Sequence, residues 1–303
     1  VEFEVSDPLR LDVFLVGQVP HMTRAKARAL VESGYVRVNG HYAKKGVMLV
    51  AGDRVVLEAL PAPTDFEPKP NAELPLTVLY EDASIVIVDK PAGVPTHPLR
   101  PEEDTTIVSA LVARYPEMLG VGYRKREPGI LHRLDTDTSG TLLCARDAAT
   151  FEALRIALRE GRIQKTYAAL VEGAVSAPRE LHGALAPDPR DARKVRLLDD
   201  PNTLEPGARP AWTKLESAER LGAFSLVQVL APRAGRHQVR AHLAHEGSPL
   251  AGDLLYGGPA VAGLSRHFLH AATLEFEHPM TGKRVRAESK LPAELEAAVA
   301  SLR

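Results

Sequence analysis

A single cysteine, Cys144, stands in the 303-residue chain, so no disulfide can form within it. It lies inside an apolar run, reads as a small buried side chain, and fits a reducing compartment. No apolar run approaches the length of a membrane span, and no charged-then-apolar leader is read at the start, which points to a cytoplasmic protein without a membrane partner. An excess of charge of one sign is also missing: 38 Lys and Arg against 39 Asp and Glu leave −1. Any affinity for nucleic acid must then come from local basic patches. There is no internal repeat and no extended low-complexity tract. What remains is 45% hydrophobic, enough for a large core and two domains.

The first 60 residues read as a compact basic module. Leu11, Phe14 and Leu15 mark the buried side of a short helix, and Thr23 is a good N-cap for a second over 24–33. In that helix Ala27, Leu30 and Val31 form an apolar stripe, which leaves Arg24, Lys26 and Arg28 outward. Asn39-Gly40 signals a hairpin, returning through Lys44 and Lys45. Two short helices and a basic hairpin suit phosphate contacts on structured RNA. The prolines from Pro61 to Pro70 predict a stiff linker over 61–75.

From residue 76 to 303 the pattern predicts a mixed, mostly antiparallel sheet flanked by helices, which makes the whole chain α+β. Strands are expected at 76–80, 85–88 and 164–171, with two more between 211 and 231. A hairpin is expected over 268–287. Helices are expected at 105–114, 148–160 and 238–245, with a last one from Pro292. The segment 176–210 reads as an exposed loop in which Arg193 and Lys194 grip a phosphate backbone, and 120–127 as a basic loop. His242 and His245 invite a metal reading, but neither the zinc-protease pattern nor nearby Cys ligands accompany them.

One polar stretch stands out, His132-Arg133-Leu134-Asp135-Thr136-Asp137-Thr138-Ser139-Gly140, pinned between apolar runs. A carboxylate held beside a guanidinium can serve as nucleophile or base. This stretch resembles the signature of the RluA family of RNA pseudouridine synthases. Lys90-Pro91-Ala92-Gly93, Lys165-Thr166-Tyr167, Gly235-Arg236-His237-Gln238-Val239-Arg240 and Asp253 to Gly257 resemble that family's other motifs. Residues 9–58 resemble the small RNA-binding domain shared by a ribosomal small-subunit protein and many RNA-modifying enzymes.

The resemblance implies an isomerase that turns specific uridines into pseudouridine without cofactor or metal. Asp135 would act on a flipped-out nucleotide, by covalent addition or by abstracting a sugar proton. Tyr167 would sandwich the base, and Arg133 would fill the vacated space or hold the adjacent phosphate. The family's Gly-Arg arginine pairs with the catalytic Asp. This chain is one residue short there, so Arg236 is expected to take that role, with Arg233 the alternative in an ungapped reading. Arg133, His132, Arg24, Lys26, Arg28, Lys44, Lys45, Arg193, Lys194 and Arg240 are the expected RNA contacts. The expected substrate is large-subunit (23S) ribosomal RNA, and the expected state a monomer. Other readings are a transfer-RNA synthase, a non-catalytic ribosome assembly factor, and a glycoside hydrolase, which would need two carboxyls about 5–10 Å apart.

Overall fold

The computed structural model describes residues 1–20, 22–58 and 65–303; positions 61–64 of the expected linker lie outside them. The chain divides into two compact units, Val1–Phe66 with Leu99–Pro101, and Glu67–Pro98 with Glu102–Arg303.

The first unit contains β1 (Glu2–Glu4), β2 (Leu9–Arg10), α1 (Leu11–Gln18), α2 (Arg24–Glu32), β3 (Val36–Val38), β4 (His41–Tyr42), β5 (Met48–Leu49) and β6 (Arg54–Leu57). The Thr23 side chain caps α2 by accepting from Lys26 N–H at 3.2 Å. Asn39 and Gly40 both take positive φ, 51° and 82°, which is the backbone a tight β3–β4 turn demands. Leu11, Phe14, Leu15, Val31 and Val55 close one core between the helices and a four-stranded sheet.

In the second unit, β7 (Thr77–Glu81) and β8 (Ile85–Lys90) precede α3 (Ile107–Arg114), β9 (Ser139–Ala145) and α4 (Ala148–Arg159). There follow β10 (Gln164–Glu172), β11 (Arg179–Pro187), β12 (Val195–Leu198), β13 (Arg209–Leu221) and β14 (Phe224–Leu230). The chain then forms α5 (Gln238–His245), β15 (Leu269–Glu277), β16 (Arg284–Glu288) and α6 (Ala293–Leu302). These strands make one sheet in the order β12-β11-β13-β14-β10-β15-β9-β8-β7, with β16 beside β15. Among the described residues no helix is long and apolar enough to cross a membrane.

The central strands are buried on both faces, so their sequences are near-continuous apolar runs rather than alternating ones. Val86, Val88, Leu142 and Cys144 pack on one side with Ile107 and Leu111 of α3. Ile85, Ile87, Leu143 and Ala145 pack on the other with Phe151, Leu154 and Ala157 of α4. Each fully buried Leu, Ile or Val contributes roughly 1.5–3 kcal/mol. Ile156, an expected core residue of α4, is instead 37% exposed, because the helix turns Ala157 inward.

Two features were not anticipated. Residues 179–198 form the hairpin β11–β12 at the sheet edge instead of a loop. And β9 and β15 run parallel, pairing Ser139 with His270 and Gly140 with Ala271. A β-carbon on Gly140 (φ +116°) would lie 2.2 Å from the Ala271 carbonyl oxygen, so only glycine permits this approach.

Burial pulls the rings of His97, His242 and His267 down to about 4. Their unfolded counterparts take up protons near the ordinary 6.5. Between those values the unfolded chain binds more protons, so stability rises with pH, is full above about 6.5, and is lost as pH falls toward 4. We expect a decline of up to about 1 kcal/mol per pH unit from each ring. Denaturant titrations across that interval measure it; a flat profile would contradict neutral buried rings.

Candidate active site

The stretch around Asp135 runs from the apolar segment Ile130-Leu131, which is bonded to β9, into β9 itself. Almost nothing in 134–139 is left to its own local preferences. Thr96 Oγ1 donates to Leu134 O at 2.8 Å, and the Nζ of Lys90 donates to Thr136 O at 2.8 Å. Arg266 Nη1 donates to Asp137 O at 2.8 Å. The hydroxyls of Thr138 and Ser139 bond His267 Nε2 and His270 Nδ1 at 2.8 and 2.9 Å. Asp135 is met by Arg240, whose Nη1 donates to Oδ2 at 2.9 Å. A loop gripped by several separate segments is pre-organised before any ligand arrives.

Lys90 is fully buried and also reaches the carbonyls of Pro91 and Val94, at 2.8 and 2.6 Å. Burial pulls its ammonium down to about 7 against the opposing pull of Asp137 and Asp135. The Lys90-Pro91-Ala92-Gly93 turn is thus tied to the loop that carries Asp135; Gly93 N–H adds a 2.9 Å bond to the same Thr136 carbonyl.

Arg240 stands between two acids. Its Nε and Nη2 engage Asp253 at 2.7 and 2.8 Å, while Nη1 holds Asp135. Burial opposes its charge, but the hydrogen-bonded Asp253 and then Asp135 outweigh that and lift it above the usual guanidinium range. Asp253 also accepts from Tyr256 N–H at 3.3 Å. Tyr256 stands edge-on to His237, with Oη 3.0 Å from Nδ1.

Asp135, Tyr167, Arg133, His237 and Arg240 line a pocket enclosing about 320 Å³, part of it open to solvent. The Asp135 side chain is 25% exposed, so it faces the pocket without lying on the open exterior. Tyr167 is buried at the start of β10, where burial and the Asp135 charge hold its hydroxyl well above the ordinary phenol value. Arg133 is half exposed, 3.9 Å from Glu127.

Three expectations need correction. Arg236 does not reach Asp135; its Nη2 donates to Arg193 O at 2.6 Å. Arg233, the alternative, donates to Arg159 O. The missing residue falls ahead of His237, leaving His237-Gln238-Val239-Arg240 intact, and the first turn of α5 carries Arg240 inward. Gln238 fixes that turn by accepting from Gly235 N–H and donating to Trp212 O. Arg240 is therefore not a surface RNA contact. Neither is His132, which is buried and accepts from Leu143 N–H at 3.1 Å.

Of the other expected RNA contacts, Arg24, Arg28, Lys44 and Lys45 are exposed and Lys26 is half-buried. Arg28 and Lys45 pair with Asp12 and Glu32. Arg193 pairs with Asp191 at the tip of the β11–β12 hairpin, and Lys194 lies over the Tyr256 ring. The roles of Asp253, Tyr256, Arg266, His267 and His270 were not anticipated. The signal for the first two was present in Gly252-Asp253-x-x-Tyr256-Gly257, an acid and a phenol set between glycines and leucines.

Residues 84–245 match the family described as RNA pseudouridylate synthase, and residues 9–55 match the S4 domain. An uncharacterized RNA pseudouridine synthase of Synechocystis is 34% identical over 97% of this chain and 89% of its own. The ribosomal large subunit pseudouridine synthase D of Xanthomonas campestris is 32% identical over 97% and 89%. Among solved structures, human RNA pseudouridylate synthase domain containing 1 superposes with a TM-score of 0.54 at 25% identity. It covers 76% of this chain and 90% of that one.

The two acids around Arg240 are unequal. Asp253 is 1% exposed and takes two of the three Arg240 bonds, so Asp253→Ala leaves the buried cation only its single bond to Asp135 and is expected to cost up to about 3–5 kcal/mol. Asp135→Ala leaves Arg240 paired to Asp253 and should stay within about 1 kcal/mol. Urea unfolding of both variants checks the contrast, and equal losses would contradict it.

Proposed function

This chain belongs to the RluA-type RNA pseudouridine synthases, isomerases that act on uridines in RNA, and on that premise we propose that Asp135 is its reactive carboxylate and large-subunit ribosomal RNA its substrate. The observation that carries the first part is the Asp135–Arg240 pair at the mouth of the pocket shared with Tyr167. The second part is supported by relatives named for the ribosomal large subunit.

The isomerisation breaks the C1′–N1 bond of a uridine, turns the uracil and joins C1′ to C5. Because the detached base stays in the pocket, no energy source is needed. A base stacked in folded RNA must first leave its neighbours, at a cost of a few kcal/mol. Arg133, half exposed at the pocket rim, fills the space left behind or holds the neighbouring phosphate. Within the pocket the Tyr167 ring lies against the uracil face. Asp135, aimed by Arg240, acts on the sugar or the base. The basic faces carrying Arg24, Lys26, Arg28, Lys44 and Lys45, and the Arg193-Lys194 hairpin tip, hold RNA through phosphates.

Glycoside hydrolysis finds little support here, since it needs a second working acid. The cluster's other carboxylate, Asp253, is buried and engaged by two Arg240 nitrogens.

Asp135→Asn is expected to abolish pseudouridine formation while RNA affinity stays within a few-fold. Mapping of pseudouridines in total RNA from cells with and without the chain identifies the substrate. Sites lost from transfer RNA alone would overturn the ribosomal assignment, and a normal rate for Asp135→Asn would overturn the role of the acid.

A further inference from the structure

The basic loop 120–127 gathers its charge around one oxygen. Arg124 Nη1 donates to Glu127 Oε1 at 3.3 Å. Arg126 Nε and Arg133 Nη1 lie 3.7 and 3.9 Å from the same oxygen, and Nε2 of the buried His97 lies 3.2 Å from it. Burial keeps the His97 ring neutral at physiological pH. Three guanidiniums therefore face a single carboxylate, and two positive charges are left over. That surplus stands in a chain whose formal net charge is −1.

Stability is a weak reason for such crowding, since an exposed ion pair contributes at most about 1 kcal/mol. At 3.7 and 3.9 Å, Glu127 holds Arg126 and Arg133 by charge and not by hydrogen bonds. It is also the one acid within ion-pair distance of Arg133 among the described residues. The Arg124 and Arg133 side chains are about half exposed, so their donors stay open to a second anion.

The cluster is anchored to the floor that carries Asp135. Glu127 N–H donates to Arg124 O at 3.0 Å, and Ile130 N–H donates to Glu127 O at 3.2 Å. Gly129 donates to Val121 O and accepts from Ala145 N–H of β9, both at 2.8 Å. A β-carbon on Gly129 would lie 2.2 Å from the Ala145 carbonyl oxygen, so the loop is seated directly on that strand. Arg133 itself lines the Asp135 pocket, which brings the surplus charge to the pocket's rim. A nucleotide turned into that pocket stays joined to its strand through two phosphates, and these must pass the rim.

We propose that Arg124, Arg126 and Arg133, gathered by Glu127, form a seat for one backbone phosphate beside the target uridine. A phosphodiester brings one negative charge and two free oxygens, which guanidinium donors engage through charge-assisted bonds. Glu127 is the positioning residue: its fixed charge keeps three mutually repelling cations together before RNA arrives. Which phosphate is held rests on the Asp135 pocket as the place the uridine enters.

The probe is an RNA fragment bearing a uridine mapped as this chain's target, with neutral methylphosphonates replacing the linkages beside it one at a time. For the unaltered protein we expect one of these linkages to weaken binding about tenfold, the worth of one charge-assisted bond. In Arg124→Gln, an exposed change that should leave folding intact, the penalty at that linkage should shrink to about threefold or less.

Glu127→Gln keeps an acceptor for Arg124 and makes the chain more positive, yet the same penalty should shrink because the guanidiniums part. A general loss of charge would weaken native and substituted RNA alike and leave the penalty unchanged. That result in Arg124→Gln overturns the seat, as does the absence of any sensitive linkage, and a full penalty in Glu127→Gln overturns the role of the acid. Asp135→Asn, measured in parallel, should keep the full penalty while losing isomerisation. Isomerisation retained there would tell against the pocket and leave the linkage map to judge the seat.

Discussion

Two buried or half-buried acids share one guanidinium, and the rest of the pocket is arranged around that sharing. Arg240 could not remain in the interior unpaired, since an isolated buried charge costs several kcal/mol. Asp253 is the permanent partner, accepting from two of the Arg240 nitrogens, and the third is left for Asp135. The cation is thus stabilised independently of the acid that faces solvent. Asp135 gains orientation and a neighbouring positive charge without having to stabilise the fold, which leaves it free to interact with a substrate.

The same economy governs the loop. Lys90, Thr96, Arg266, His267 and His270 come from segments on either side of the 134–139 stretch, and each spends a polar group on it. Burying so many polar atoms is tolerable only because they satisfy one another. The apolar strands β8 and β9 beneath provide the rigid floor. Precision at the site is therefore inherited from the sheet, and the polar ring transmits it to Asp135.

Much of this was legible in the residues. Periodicity located α2, α3, α4 and α5 to within two residues, and the Thr23 cap forms as read; Thr106 and Asp147, which were not read as caps, cap α3 and α4. The central motif and Tyr167 were visible as residue types in order. What sequence could not disclose was which arginine meets Asp135, since a one-residue gap changes the register and only the direction of the first turn of α5 decides between Arg236 and Arg240. The β11–β12 hairpin was hidden by its Pro, Asp and Arg content, which reads as loop when the strand it pairs with, β13, is not yet known. His132 was read as a contact residue, yet it is buried and spends its Nε2 on the Leu143 N–H of β9, while Arg133 beside it is exposed.

The parallel pairing of β9 with β15 joins positions 131 residues apart, Ser139 and His270. Antiparallel neighbours can zip from a turn, but this pair has no short connection, and β10 to β14 intervene in the chain between its members. During synthesis, the stretch bearing Asp135 leaves the ribosome long before Arg240, Asp253, Arg266 or His270 exists to grip it. The nascent chain can form its first basic unit early and so meet RNA before it is able to alter one. The stretch bearing Asp135 is thereby left without its full set of partners until translation has reached β15, a built-in delay that follows from topology alone.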